Sequence, residues 1–254
     1  MAEFQTIRRT GTVASAAEID VGLRAHMNKV YGLMSVAMVI TGIVAYVFGA
    51  DLARAFAGEP TQIVPFGLLE ALFNSGLRYV VMFAPLVVVF GMSAMINRMS
   101  QATAQAVFWV FAGLMGLSLS SIFVVYTGMS IAQVFLITAI AFAGLSLYGY
   151  TTKRDLSGMG TFLMMGVIGL IVAMVVNIWL QSPAIMFAVS AIGVLIFAGL
   201  TAYDTQRIKS TYVQMAGAGN TEWLGKAAIM GALNLYLDFL NMFIFLLQLF
   251  GNRS

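Results

Sequence analysis

Apolar runs of about twenty residues, separated by short polar breaks, recur seven times along the 254-residue chain, at residues 29–48, 79–96, 104–126, 131–150, 159–180, 184–203 and 227–250. A bilayer core of about 30 Å needs about 20 apolar residues per helical span, so each run predicts one transmembrane helix. The runs are continuously apolar, whereas a membrane barrel would show alternating segments of about ten residues. The expected fold is an all-α membrane protein: a seven-helix transmembrane domain over residues 29–254, preceded by a cytoplasmic or interfacial segment, residues 1–28.

In that preceding stretch Ile19, Leu23, Met27 and Val30 share one helical face, which predicts an interfacial helix feeding the first span. Arg8, Arg9, Glu18, Asp20 and Arg24 lie there without an early apolar region, so the first span is expected to be retained as an anchor. The connection over residues 51–78 holds Pro60 and Pro65 and a short amphipathic stretch, and is expected to lie on the membrane surface.

Composition agrees with the pattern. At 61% hydrophobic and 9% charged, with mean hydropathy +0.93, the chain has too little polar surface to coat a soluble globule. Charge sets the orientation, because cytoplasmic flanks carry the excess of Lys and Arg. With the N terminus inside, ten of the 13 basic residues fall on inner flanks, and only Arg54, Arg78 and Arg253 fall outside. The N terminus is therefore expected in the cytoplasm and the C terminus outside. The formal charge of +3 is scattered over short loops and is not a nucleic-acid footprint.

Few polar groups remain to carry chemistry. With no cysteine, disulfides, thiolate nucleophiles and Cys metal sites are excluded. His26 is the only histidine, which rules out a multi-histidine metal site, and its place at the membrane edge reads as interfacial. Gly116 and Ser120, four apart inside a span, suit close helix packing, and the eighteen Met residues suit bundle filling.

Two aspartates stand apart from this background. An Asp at the centre of a spanning helix costs about 2.5–3.5 kcal/mol, so something must compensate for Asp238, some ten residues from either end of its run. Helical spacing puts Gly231, Asn234, Asp238, Asn241 and Gln248 on one stripe, expected to face the protein interior. On the sixth span Ser190, Gly193, Phe197, Thr201 and Asp204 share a face that ends just before Arg207 and Lys209. If the stripes meet, Asp204 and Asp238 share a proton, since like charges a few Å apart cannot both ionise cheaply. The plainer alternative makes both structural, with Asp204 paired to Arg207 or Lys209. Straight helices with these ends put the two at different depths, so their meeting requires other helix ends or a tilt.

The segments VGLRAHMNKVYGLMSVAM (residues 21–38), GLTAYDTQRIK (199–209) and ALNLYLDFLNMFIFLLQLFG (232–251) resemble the bacterial branch of the Bax inhibitor motif family of seven-span membrane proteins. The resemblance implies a seventh helix central among six others, a place in the bacterial inner membrane and a pH-sensitive calcium leak. In that mechanism the aspartates matching Asp204 and Asp238 hydrogen-bond to each other and control opening, and a basic residue after the second span, matched by Arg98, helps close the path. Asn234, Asn241 and Thr201 are the candidate pore-lining residues. Calcium, a hard cation, suits these oxygen donors for weak, transient contact with Asp204 and Asp238 rather than storage, and no cofactor is expected.

Two other readings stand beside this one. The chain could be a non-transporting regulator that binds a membrane protease or another integral protein, as a monomer or weak oligomer. Paired aspartates on adjacent spans also suit an intramembrane aspartyl protease of presenilin type. Here, however, the second site reads LYLD instead of GxGD, no PAL motif follows, and Leu235 and Leu237 crowd the carboxylate, so no enzyme is expected.

Overall fold

The computed structural model describes residues 16–215 and 220–253. Among these, nine helices occur: α1 (Ala16–Phe56), α2 (Phe66–Phe73), α3 (Leu77–Met95), α4 (Gln101–Leu119), α5 (Ile122–Val125), α6 (Gly128–Thr151), α7 (Ser157–Leu180), α8 (Pro183–Met215) and α9 (Thr221–Phe250). There is no strand among the described residues, only an isolated bridge from Tyr126 to Arg253. Seven segments are long and apolar enough to cross a membrane: α1, α3, α4 with α5, α6, α7, α8 and α9. Each coincides with one of the seven apolar runs to within a residue or extends beyond it.

Local chemistry sets the helix ends. The Ser100, Thr127 and Asn220 side chains accept from the N–H groups of Thr103, Ser130 and Trp223, satisfying donors that the first turns of α4, α6 and α9 leave open. Helix α7 ends at Gln181 in the left-handed conformation, φ 47°, and Pro183 opens α8, a position where its missing N–H costs nothing.

Helix α9 forms the centre, packed against α8, α1, α6 and α4. Its most apolar window is 67% buried, whereas the other six spans range from 17% to 39%. Tyr236 lies fully buried at the middle of α9, with Phe108 and Phe111 of α4 edge-on to its ring. Its hydroxyl bonds to that of Thr41 on α1 at 2.7 Å, and Thr41 donates onward to the Ala112 carbonyl at 2.8 Å. The small residues permit close backbone approach: a Cβ on Gly116 would stand 2.6 Å from the Thr41 carbonyl oxygen, and one on Gly149 would overlap the Ala202 backbone.

The stripe of Leu23, Met27 and Val30 is buried against protein, and residues 16–28 continue into the first span as one 41-residue helix. The reason lies in α8, which does not stop near Tyr203 but runs three further turns to Met215 and gives that stripe a protein surface to cover. Tyr212 on this extension reaches Gly22 and packs against His26, ring centroids 4.9 Å apart and tilted by 35°.

At the end of the bundle holding the α1–α2 connection, Asp51 is buried and accepts from the N–H groups of Gln62, Ile63 and Val64 at 2.9, 2.6 and 2.7 Å. One carboxylate thus clasps a connection that has no ladder or helix to satisfy it. Asp51→Ala is expected to make residues 57–65 markedly more sensitive to limited proteolysis, with helix content unchanged. An unaltered cleavage pattern would show that another contact holds the loop.

Candidate functional site

The relation between Asp204 and Asp238 follows from the register of α8 against α9. Ser190 donates to Gln248 at 2.8 Å, Gly193 faces Phe245, and Ile208 faces Gly231. In that antiparallel register Asp204 stands level with Asn234, and Asp238 level with Leu200, about one turn apart. Side chains on a helix lean toward its N-terminus. Because the two helices run in opposite directions, the two carboxyls lean toward each other. They come within hydrogen-bonding reach. The long extension of α8 and the early start of α9 supply the different helix ends that the sequence required.

Both aspartates are buried, at 9% and 4% exposure. Among the described residues, Asp238 Oδ2 has no hydrogen-bond donor. Two ionised carboxylates offer acceptors only, so a bond between them requires one proton. Arg207 Nη1, one turn along α8, stands 4.0 Å from Asp204 Oδ1 and is itself largely exposed.

Asp204 borders a cleft of about 230 Å³ that opens at the basic end of the bundle, where the α3–α4 and α6–α7 connections lie. Its polar lining includes His26 of α1, Asn97 after α3, Arg207 and Thr211 of α8, and Lys226 and Asn234 of α9. At about 30 Å³ per molecule, it has room for several waters. Asp238 lies beyond the cleft, covered by its partner.

The other sequence candidates fall in different places. Asn234 opens into the cleft, but Asn241 is half-buried and donates to the Leu237 carbonyl of its own helix at 2.8 Å. Thr201 is fully buried and donates to Phe197 O at 2.8 Å. The α9 stripe is corrected in part. Asp238 and Gly231 are buried, whereas Asn234 and Asn241 are half-buried and Gln248 exposed. The fully enclosed sides of α9 take Leu235, Tyr236, Phe239, Leu240, Phe243 and Leu247. Large apolar groups gain most from dense packing, which leaves the amides for the looser side. Arg98 is exposed on the α3–α4 turn, and among the described residues its side chain pairs with no carboxylate. The guanidinium beside the pair belongs to Arg207.

Sequence reasoning missed Lys226, Asn97 and His26 as neighbours of the aspartates. A signal existed for Lys226, since Lys226, Met230, Asn234 and Asp238 recur at four-residue spacing along α9. For His26 there was none, because its placement depends on the three extra turns of α8. Among the described residues, no three His, Cys, Asp or Glu side chains converge as a metal site.

Fold and site together define an all-α integral membrane protein with seven segments long and apolar enough to span the membrane and a buried carboxylate pair at the head of a polar cleft. The chain belongs to the Bax inhibitor family: the family model described as inhibitor of apoptosis-promoting Bax1 matches residues 23–254. It is 45% identical to a protein of Escherichia coli strain K12 named inner membrane protein YbhL, over 91% of this chain and 93% of that one. It is 43% identical to the uncharacterized protein RP147 of Rickettsia prowazekii, over 95% of both, and 46% identical to an uncharacterized protein of Caulobacter vibrioides, over 92% and 91%.

Proposed function

We propose that the protein is a pH-sensitive cation leak, with calcium as a permeant ion, controlled by a proton shared between Asp204 and Asp238. The observation that carries this reading is the buried Asp238 oxygen without a donor, set against a second carboxyl that faces a polar cleft. With the proton in place, the pair ties α8 to α9 and closes the route past Asp238. Its loss puts two like charges in a low-dielectric core, and their repulsion loosens the helix contact. The charged and titratable groups around Asp204 are Arg207 on its own helix, His26 from α1 and Lys226 from α9. A calcium ion entering the cleft meets the Asp204 carboxylate and the Asn234 amide, and reaches Asp238 only once the pair has parted, a set suited to passage and too small for tight binding.

In this reading Arg207, not Arg98, steadies the closed state. Arg207→Ala is expected to raise resting calcium flux in proteoliposomes severalfold, and Arg98→Ala to change it less. The reverse ranking would return the closing role to Arg98. No cleavage of transmembrane peptides is expected, because Asp238 has no opening for a substrate backbone.

The reading also assigns the basic end, with its cleft, to the cytoplasm of a bacterial inner membrane. YbhL is named as an inner membrane protein, which supports the membrane, while the side rests on the excess of Lys and Arg at that end. A reporter fused after Lys226 should then appear inside and one after Ser254 outside. Both reporters on the same side would end this topology.

A further inference from the structure

A groove of about 850 Å³ opens between α1 and α6 at the basic end of the bundle, with Lys209 of α8 at its rim. Helices α1 and α6 each pack on α8 and α9 but have no extensive contact with each other, so the groove is open sideways to the membrane. The deep part is walled by Met27, Phe142 and Ala143 together with Asn28 and Tyr31, and the charged groups gather at the mouth, where Arg24, Tyr150, Thr151 and Lys209 lie.

The hydroxyls at the floor are already satisfied. Tyr31 bonds to Ser146 at 2.6 Å across the groove, and Ser146 bonds to Thr205 of α8 at 2.9 Å. The mouth is different. Lys209 is half-buried, donates one hydrogen to the Tyr150 carbonyl at 2.8 Å and lies 5.0 Å over the Tyr150 ring. An ammonium carries three donors, and among the described residues Lys209 has no carboxylate partner. Arg24 pairs with Asp20 at 3.1 Å, but its five-donor fork is not exhausted by one contact. With Asp20 counted, the mouth keeps one net positive charge.

We infer that this groove holds one anionic glycerophospholipid from the leaflet at the basic end, with an acyl chain along Met27 and Phe142 and its phosphate between Lys209 and Arg24. The shape requires an apolar tail joined to an anionic head, and the head must lie at the level where the charges sit, which a phospholipid in that leaflet satisfies. A half-buried cation with unused donors supplies the charge complementarity. The inference is independent of the leak reading, since neither aspartate of the pair lines this groove.

The test uses full-length protein, purified in mild detergent and exposed to mixed micelles of equal phosphatidylglycerol and phosphatidylcholine. Native mass spectrometry counts the retained lipid. Wild type should retain one phosphatidylglycerol in preference to phosphatidylcholine. Lys209→Met, which keeps the length of the side chain without its charge, should weaken that retention about fivefold, roughly what one basic residue near an anionic surface contributes. Lys209→Arg and Lys153→Ala, the latter on the α6–α7 turn outside the groove, should retain it. Equal retention of both lipids by wild type would overturn the inference, reducing the groove to an apolar crevice, as would full retention by Lys209→Met. Displacement of the lipid by inorganic phosphate alone would also overturn it, because the head would then bind without the tail. If Lys209→Met does not fold, the wild-type preference decides alone.

Discussion

Asp204→Asn and Asp238→Asn are each expected to flatten the pH response of the proposed cation flux, bringing the ratio between high and low pH close to one. The two carboxyls lean together from antiparallel helices, and a bond between them requires one proton. Asparagine cannot ionise, so either substitution removes the repulsion that would otherwise appear when the proton leaves. Its amide also donates a hydrogen bond to the remaining carboxylate, so α8 and α9 stay tied across the whole pH range. The response belongs to the pair, and the two variants should therefore behave alike. Resting flux can move in either direction with the new bond, so the slope against pH is the quantity to compare. A variant that keeps the wild-type midpoint would remove its aspartate from the switch.

Gly149→Leu should cost folded protein outright. Helix α6 crosses α8 so closely at this point that even a Cβ would overlap the Ala202 carbonyl, which is backbone and cannot rotate away. Overpacking typically costs 1–3 kcal/mol, and obstruction by backbone puts this substitution at the upper end, about 3 kcal/mol or more. The same crossing carries the Ser146–Thr205 bond and lies two residues from Asp204. The variant is expected to show low yield and a strongly lowered Tm, whereas Gly144→Leu on an open face of α6 should be tolerated. A stable Gly149→Leu protein would mean that the helices can separate there without penalty.

How much of this was legible in the chain depends on whether a feature is local. The seven spans come from apolar run length, which the bilayer dictates directly. Asp238 was legible as well, because a carboxylate ten residues inside an apolar run has no surface to reach. The helix ends were harder to read. Residues 204–215 are polar enough to look like a loop, and they stay helical because Tyr212 and Ile208 find partners on α1 and α9, contacts that no window along one segment contains. The same extension buries Leu23, Met27 and Val30, whose amphipathic face looks alike whether it meets lipid headgroups or protein. It also brings His26 to the cleft that Asp204 borders. The orientation of the α9 amides was misjudged for a related reason: spacing puts residues on a common face, but which face is enclosed depends on how α8, α1, α6 and α4 distribute around the helix.

The central claim is most directly tested by calcium entry into proteoliposomes holding purified wild-type protein, measured over a series of pH values on the side of the basic end. The account predicts flux that is low in acid and rises as the shared proton is lost. Flux independent of pH, or no flux above that of empty liposomes, would contradict it and favour a protein that acts by binding another integral membrane protein.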